Sequence, residues 1–385
     1  MADAAPRLLF VAGENSGDQH AARLIRHLLE LEPQAQCFGF GGVAMERAGM
    51  RLDENLAQKM PVIGLSQALR HYNRLKALLA RAEATLDTER PDAVVLVDYP
   101  GFNLRLAQAA ARRGIPVIYY ISPQIWAWHK SRLAIIAKSV RLMLVILPFE
   151  ERIYRQAGVP VTYVGHPLAD HNEPLRPAAE VRTMLGIAPE AKVIGILPGS
   201  REPEIVRHLE AMLGAARLIA RRIPESVFVL PRAETVSRPL IDKYCARFPD
   251  VPLRLAETDH RSVRAAMQFA LCKSGTSTLE LALLGVPMVI IYRVSWLTEL
   301  MARAVLRIPW IGLVNIVANE EVAPELLQRR ATPAGIAQAA LEILENPAAL
   351  ARQKEKLGRV AAAVGGPGAS RRAAEAVLSV VRGIA

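Results

Sequence analysis

Residues 165–177 read GHPLADHNEPLRP, three prolines among mostly polar side chains that match neither helical nor strand periodicity. The chain follows the same alternation on both sides of this stretch. Before it, short β-branched or aliphatic runs fall near 7–13 (RLLFVAG), 35–40, 93–98 (AVVLVD), 116–121 (PVIYYI), 141–147 (RLMLVIL) and 161–164, with amphipathic helical stretches between them. After it, such runs recur at 192–197 (KVIGIL), 226–230 (SVFVL), 269–273 (FALCK) and 287–292 (PMVIIY). From about 333 the chain reads as helix, and Gly365, Gly366, Pro367 and Gly368 separate the last two helices. Strands and helices in alternation are the pattern of a parallel sheet covered on both faces. The class is α/β, with two doubly wound units expected at 1–168 and 169–350, and a last helix at 367–385 free to pack back on the first. Two such units place a cleft between the carboxyl ends of their sheets, where small molecules bind in folds of this kind.

Composition agrees with two domains. A chain of 385 residues exceeds one ordinary hydrophobic core, and 51% hydrophobic with 22% charged residues excludes a disordered or fibrous protein. The three cysteines, Cys37, Cys245 and Cys272, lie far apart, which excludes a disulfide framework and a clustered zinc site and favours a reducing compartment. The opening MADAAPRLLFVAG lacks a basic region and a cleavage site, so a cytoplasmic location is expected. No run of 18 apolar residues occurs, yet the net charge is +11, which calls for an anionic partner: nucleic acid, a nucleotide or an acidic membrane surface.

Chemistry is sought at strand ends. The first strand ends in Gly13-Glu14-Asn15-Ser16-Gly17-Asp18, a turn that serves either as a helix start capped by Ser16 or Asp18, or as an anion- or hydroxyl-binding corner. A cap does not require Glu14. The run AVVLV ends in Asp98, where partial desolvation raises a carboxyl toward a useful base; Pro100 and Asn103 already mark the helix start that follows. Trp126 and Trp128, two of four tryptophans, follow the strand PVIYYI and line either a sugar or acyl site or the core. In the second half, Gly199-Ser200-Arg201 follows a strand, and glycine, hydroxyl and guanidinium beside a helix start suit a diphosphate. Ser274-Gly275-Thr276-Ser277 forms a second such turn, with Glu280 one helical turn further on, suited to ribose hydroxyls or to its own helix. No histidine pair has metal spacing. Leu65, Leu69, Tyr72 and their helical neighbours, after Val62, form an apolar stripe beside basic residues, which is either core or a docking face for an anionic membrane or acyl chains.

Taken together, VAGENSGD (11–18), VDYPGFN (97–103), YYISPQIWAW (119–128), LPFE (147–150), VGHPL (164–168), LPGSREPE (197–204), SGTSTLE (274–280) and IYR (291–293) resemble, in order and spacing, the lipid-A-disaccharide synthases. The resemblance implies a glycosyltransferase-B fold. It also implies a reaction in which UDP-2,3-diacylglucosamine donates its sugar to the 6-hydroxyl of 2,3-diacylglucosamine 1-phosphate, giving a β-1,6 disaccharide and UDP. Asp98 and Glu14 are then the catalytic pair, and Ser200, Arg201, Gly275, Thr276, Ser277, Glu280, Arg293 and Asn315 the donor contacts. Ser16, Gly17, Asn103, Trp126, Val62, Leu65, Leu69 and Tyr72 face the acceptor, its acyl chains or the membrane. Neither metal nor other cofactor is expected, nor nucleic acid. The expected partners are the two lipid sugars and the anionic inner face of the cytoplasmic membrane, with a homodimer left open. A non-hydrolysing UDP-GlcNAc 2-epimerase shares the implied fold and is the competing reading.

Overall fold

The runs read as strands form two parallel sheets in a computed structural model that describes residues 5–56, 65–123, 131–170, 174–294 and 309–383. The chain divides into two compact units, Met1–His171 with Val364–Ala385, and Asn172–Ala363.

The first unit holds seven strands: β1 (Arg7–Ala12), β2 (Gln36–Gly41), β3 (Arg51–Asn55), β4 (Ala93–Val97), β5 (Val117–Tyr120), β6 (Leu142–Val145) and β7 (Val161–Tyr163), in the order β3-β2-β1-β4-β5-β6-β7. Side chains alternate across a strand, so Leu8, Phe10 and Ala12 enter one core while Leu9 and Val11 enter the other. Burial on both faces explains the unbroken apolar run of β1. The helix Asn15–Leu31 covers one face through Ala21, Leu24, Ile25 and Leu28. Beside it lies the C-terminal helix Ala369–Val381, whose Ala373, Ala374, Val377 and Leu378 complete the same core. Asp170 fixes the start of that helix by accepting from the N–H groups of Gly368, Ala369 and Ser370, each at 2.8 Å.

The second unit holds β8 (Lys192–Leu197), β9 (Ser226–Pro231), β10 (Leu253–Ala256), β11 (Phe269–Lys273), β12 (Met288–Tyr292) and β13 (Glu325–Leu327), in the order β10-β9-β8-β11-β12-β13. The long helix Glu202–Arg222 packs on its core through Ile205, Leu209, Met212 and Ile219. Three strands escape a periodicity reading, namely β3, β10 and β13, and all three lie at sheet edges. An edge strand is short and partly solvated, and RLDEN, LRLA and ELL accordingly lack the long apolar runs, such as LLFVA and AVVLV, of the central strands. In each sheet the order reverses at the first strand, between β1 and β4 and between β8 and β11, which opens a crevice at the carboxyl ends.

Candidate functional site

At the crevice of the first sheet, β1 leads into Gly13-Glu14 and β4 into Asp98-Tyr99. Asp98 and Tyr99 both adopt left-handed backbone, φ +48° and +50°, a conformation that costs an L-residue roughly 1–2 kcal/mol. Three hydrogen bonds hold it. The Asn103 amide donates to the carbonyls of Asp98 (2.7 Å) and Val97 (3.2 Å), and the Tyr119 hydroxyl donates to the carbonyl of Asp98 at 2.6 Å. At about 1 kcal/mol net each, these bonds match the cost of the turn. The side chain of Asp98 is half-buried. Burial first, and then the negative charge of Glu14, raise its carboxyl above the usual range, while the Tyr99 N–H acts in the opposite sense. A half-buried carboxylate with a raised pKa at the crevice of an α/β sheet is equipped to accept a proton.

The neighbouring residues divide by burial. Asp18 is buried and accepts from the N–H groups of Gly42, Ala44 and Met45, so it caps the short helix Val43–Arg47 and not its own. Ser16 is exposed in the first helical turn, and Gly17 is packed within 4 Å of Ala12 and Val97, if a Cβ is placed on it. Asn103 is wholly buried and its amide serves the Asp98 turn. Val62 and Trp126 lie outside the described residues, as do the side chains of Leu65, Leu69 and Tyr72.

The crevice of the second sheet holds a cavity of about 170 Å³ lined by Gly199, Ser200, Arg201, Glu204, Arg264, Lys273, Gly275, Thr276 and Ser277, among others. Gly199 is required here, because φ is +124° and a Cβ would stand 2.4 Å from Oε2 of Glu204. That close approach lets the Glu204 carboxylate accept the N–H of Ser200 at 2.9 Å. Burial alone would raise the Glu204 carboxyl, but the charge and hydrogen bond of Lys273, the Ser200 N–H and the Arg201 charge together hold it below its ordinary value. Arg264 pairs with Glu280 at 3.0 Å, so Glu280 adjoins the cavity through its partner. His208 is buried, and burial lowers its pKa; its Nδ1 lies 2.7 Å from the Glu204 carbonyl and its Nε2 accepts from the N–H of Arg293 at 3.0 Å. It thereby ties the end of β12 to the helix that carries Glu204.

Asn315 is placed away from the cavity lining, inside a loop of the same unit. Its amide is fully buried and fully engaged, donating to the carbonyl of Ala323 and to Glu325 and accepting from Val322 and Ala323. A side chain so committed organises the loop, with Glu325 accepting from Ile311 and Gly312. The side chain of Arg293 is exposed and is not among the cavity residues. Sequence reasoning passed over Lys273, Arg264, His208 and Tyr119, and met Glu204 only as the last residue of LPGSREPE. Among the described residues no cluster of three or more His, Cys, Asp or Glu is placed to hold a metal, and no helix is long and apolar enough to cross a membrane.

Two Rossmann-like units, each with polar groups at its strand-order reversal, define the architecture of the glycosyltransferase-B class. Solved structures share it: UDP-GlcNAc 2-epimerase from Neisseria meningitidis bound to UDP-GlcNAc (16% identity, 97% of this chain and 100% of the other, TM-score 0.62) and MurG from Acinetobacter baumannii (15% identity, 97% and 99%, TM-score 0.60). At such identities the likeness concerns the fold alone. Sequence is more specific. The lipid-A-disaccharide synthetase family profile matches residues 8–380. Lipid-A-disaccharide synthases of Syntrophus aciditrophicus (42% identity, 97% of this chain and 98% of the relative) and Nitrosococcus oceani (40%, 100% and 98%) match along their length. The chain belongs to the lipid-A-disaccharide synthetase family and is a hexosyltransferase that forms the lipid A disaccharide.

Proposed function

We propose that the chain transfers 2,3-diacylglucosamine from UDP to the 6-hydroxyl of 2,3-diacylglucosamine 1-phosphate with inversion at the anomeric carbon. The first unit takes the acceptor and the second takes the donor. Asp98 removes the proton of the attacking hydroxyl, as inversion requires a base on the face opposite the leaving group. Its raised carboxyl, half-buried beside Glu14, is the observation that carries this reading. Ser200, Arg201 and the turn Gly275–Ser277 receive the diphosphate in the cavity of the second unit. The positive charge of the chain suits UDP, the acceptor phosphate and the anionic inner face of the cytoplasmic membrane, where both lipid substrates reside.

The test is incubation of purified protein with both lipid substrates and mass spectrometry of the products. Disaccharide 1-phosphate and UDP in equal amounts are expected. UDP released without acceptor would indicate hydrolysis, and epimerised UDP-sugar would favour the competing fold relative. Asp98→Asn is expected to lower turnover about 10²–10⁴-fold, the usual worth of a general base, with UDP affinity unchanged. Near-normal turnover by that variant removes Asp98 from the role.

A further inference from the structure

Lys273 is the last residue of β11, beside the strand-order reversal, and its ammonium lines the cavity of the second unit. Nζ donates to Oε1 of Glu204 at 3.0 Å and lies 5.7 Å from the centre of the Tyr292 ring. A Cβ placed on Gly275 would be 3.6 Å from it, so the ammonium stands directly against the second hydroxyl-rich turn. The other oxygen of Glu204 accepts the Ser200 N–H. One carboxylate therefore draws the ammonium and the Gly199–Ser200 turn to a single place. An ammonium has three donors, and among the described residues Glu204 takes the only hydrogen bond recorded for this one. The cavity lining sets three cations, Arg201, Arg264 and Lys273, against one carboxylate, Glu204, an excess that suits a polyanion. Arg264 is paired with Glu280, which lies outside the lining.

We propose that Lys273 is a direct contact of the donor's diphosphate and stabilises the charge that develops on it, with Glu204 as the positioning residue that holds the ammonium in place. This rests on the donor reading above. In the reaction the bond between the anomeric carbon and the diphosphate oxygen breaks, and its electron pair leaves with UDP. The acceptor oxygen forms the new bond to that carbon and its proton passes to Asp98. The leaving diphosphate gains one negative charge, and a cation held beside it acts more strongly in that state than in the bound substrate.

Calorimetric titration of UDP and uridine into the wild type, Lys273→Met, Glu204→Gln and the double variant separates the possibilities. Loss of a charge-assisted contact is expected to weaken UDP binding roughly 10- to 100-fold in Lys273→Met. Uridine, which lacks phosphate, binds that variant as it binds the wild type, and kcat falls with the UDP affinity. The double variant leaves no unpaired carboxylate and still binds UDP weakly, whereas Lys273→Arg recovers part of the affinity. Lys273 is excluded as a phosphate contact by unchanged UDP affinity in Lys273→Met, by an equal loss of uridine affinity, or by wild-type UDP affinity in the double variant. Failure of the wild type to bind UDP overturns the donor reading itself, an outcome distinct from failure of the lysine alone.

Discussion

Asn103→Leu tests whether the backbone at Asp98 is held as the structure indicates. The substitution keeps the branched four-atom shape of the side chain and replaces its amide by two methyl groups. Two short hydrogen bonds disappear, those to the partly buried carbonyl of Asp98 and the buried carbonyl of Val97, with a longer one to the carbonyl of Val11 at 3.5 Å. At about 1 kcal/mol for each of the two short bonds, with a further 1–3 kcal/mol where a buried carbonyl is left unpaired, the loss is about 3–5 kcal/mol. That equals or exceeds the cost of two consecutive left-handed residues, about 2–4 kcal/mol together. Only the Tyr119 hydroxyl then holds the carbonyl of Asp98, and the backbone is free to relax toward extended conformations that carry the carboxylate elsewhere. A displacement on the order of 1 Å costs about 10²-fold in turnover. The expected result is a destabilised first unit, seen in thermal or urea unfolding, together with a kcat lowered about 10²-fold and UDP binding unchanged. A variant that loses stability yet turns over like the wild type would show that the orientation of Asp98 does not depend on this clamp. Unchanged stability would show that the amide bonds contribute nothing.

Two further outcomes follow from the same geometry. The acidic limb of kcat/KM is expected above the ordinary carboxylate range, because activity is lost as Asp98 takes up its proton and its carboxyl is raised. Glu14→Gln removes a neighbouring negative charge, so Asp98 ionises more readily and the limb moves to lower pH; an unmoved or raised limb refutes the coupling. Gly199→Ala places a methyl group 2.4 Å from Oε2 of Glu204 at a backbone angle that suits glycine, so UDP binding is expected to weaken at least tenfold, on the order of 1.4 kcal/mol. Wild-type UDP affinity in that variant would show that the Glu204 approach is dispensable.

What the sequence makes legible depends on how a residue earns its place. Asp98 stands out because it ends an apolar run with a charge, and Ser200 and Arg201 because a strand, a glycine and a helix follow in order. Lys273 also ends an apolar run, but without a partner in view it reads as strand. Glu204 and Lys273 are 69 positions apart, and only the placement of β11 beside β8 brings them together. Tyr119 is hidden for the opposite reason, since within VIYY its ring reads as core and its hydroxyl is the part that acts. Asn103 and Asn315 enter as contacts only through the family resemblance, and nothing in their local sequence shows how far they are buried. Their complete burial is a tertiary property, and it makes both supports for the backbone around them.

The C-terminal helix has a consequence for synthesis. Strands β1 to β7 leave the ribosome first, but the core on one face of their sheet stays open until Ala373, Ala374, Val377 and Leu378 arrive, some two hundred residues after β7. The second unit is continuous in the chain and has all its strands and helices before then. The domain encoded first is therefore the one completed last, and a nascent chain that stalls short of its final twenty residues leaves the unit bearing Asp98 unfinished while the donor unit is whole.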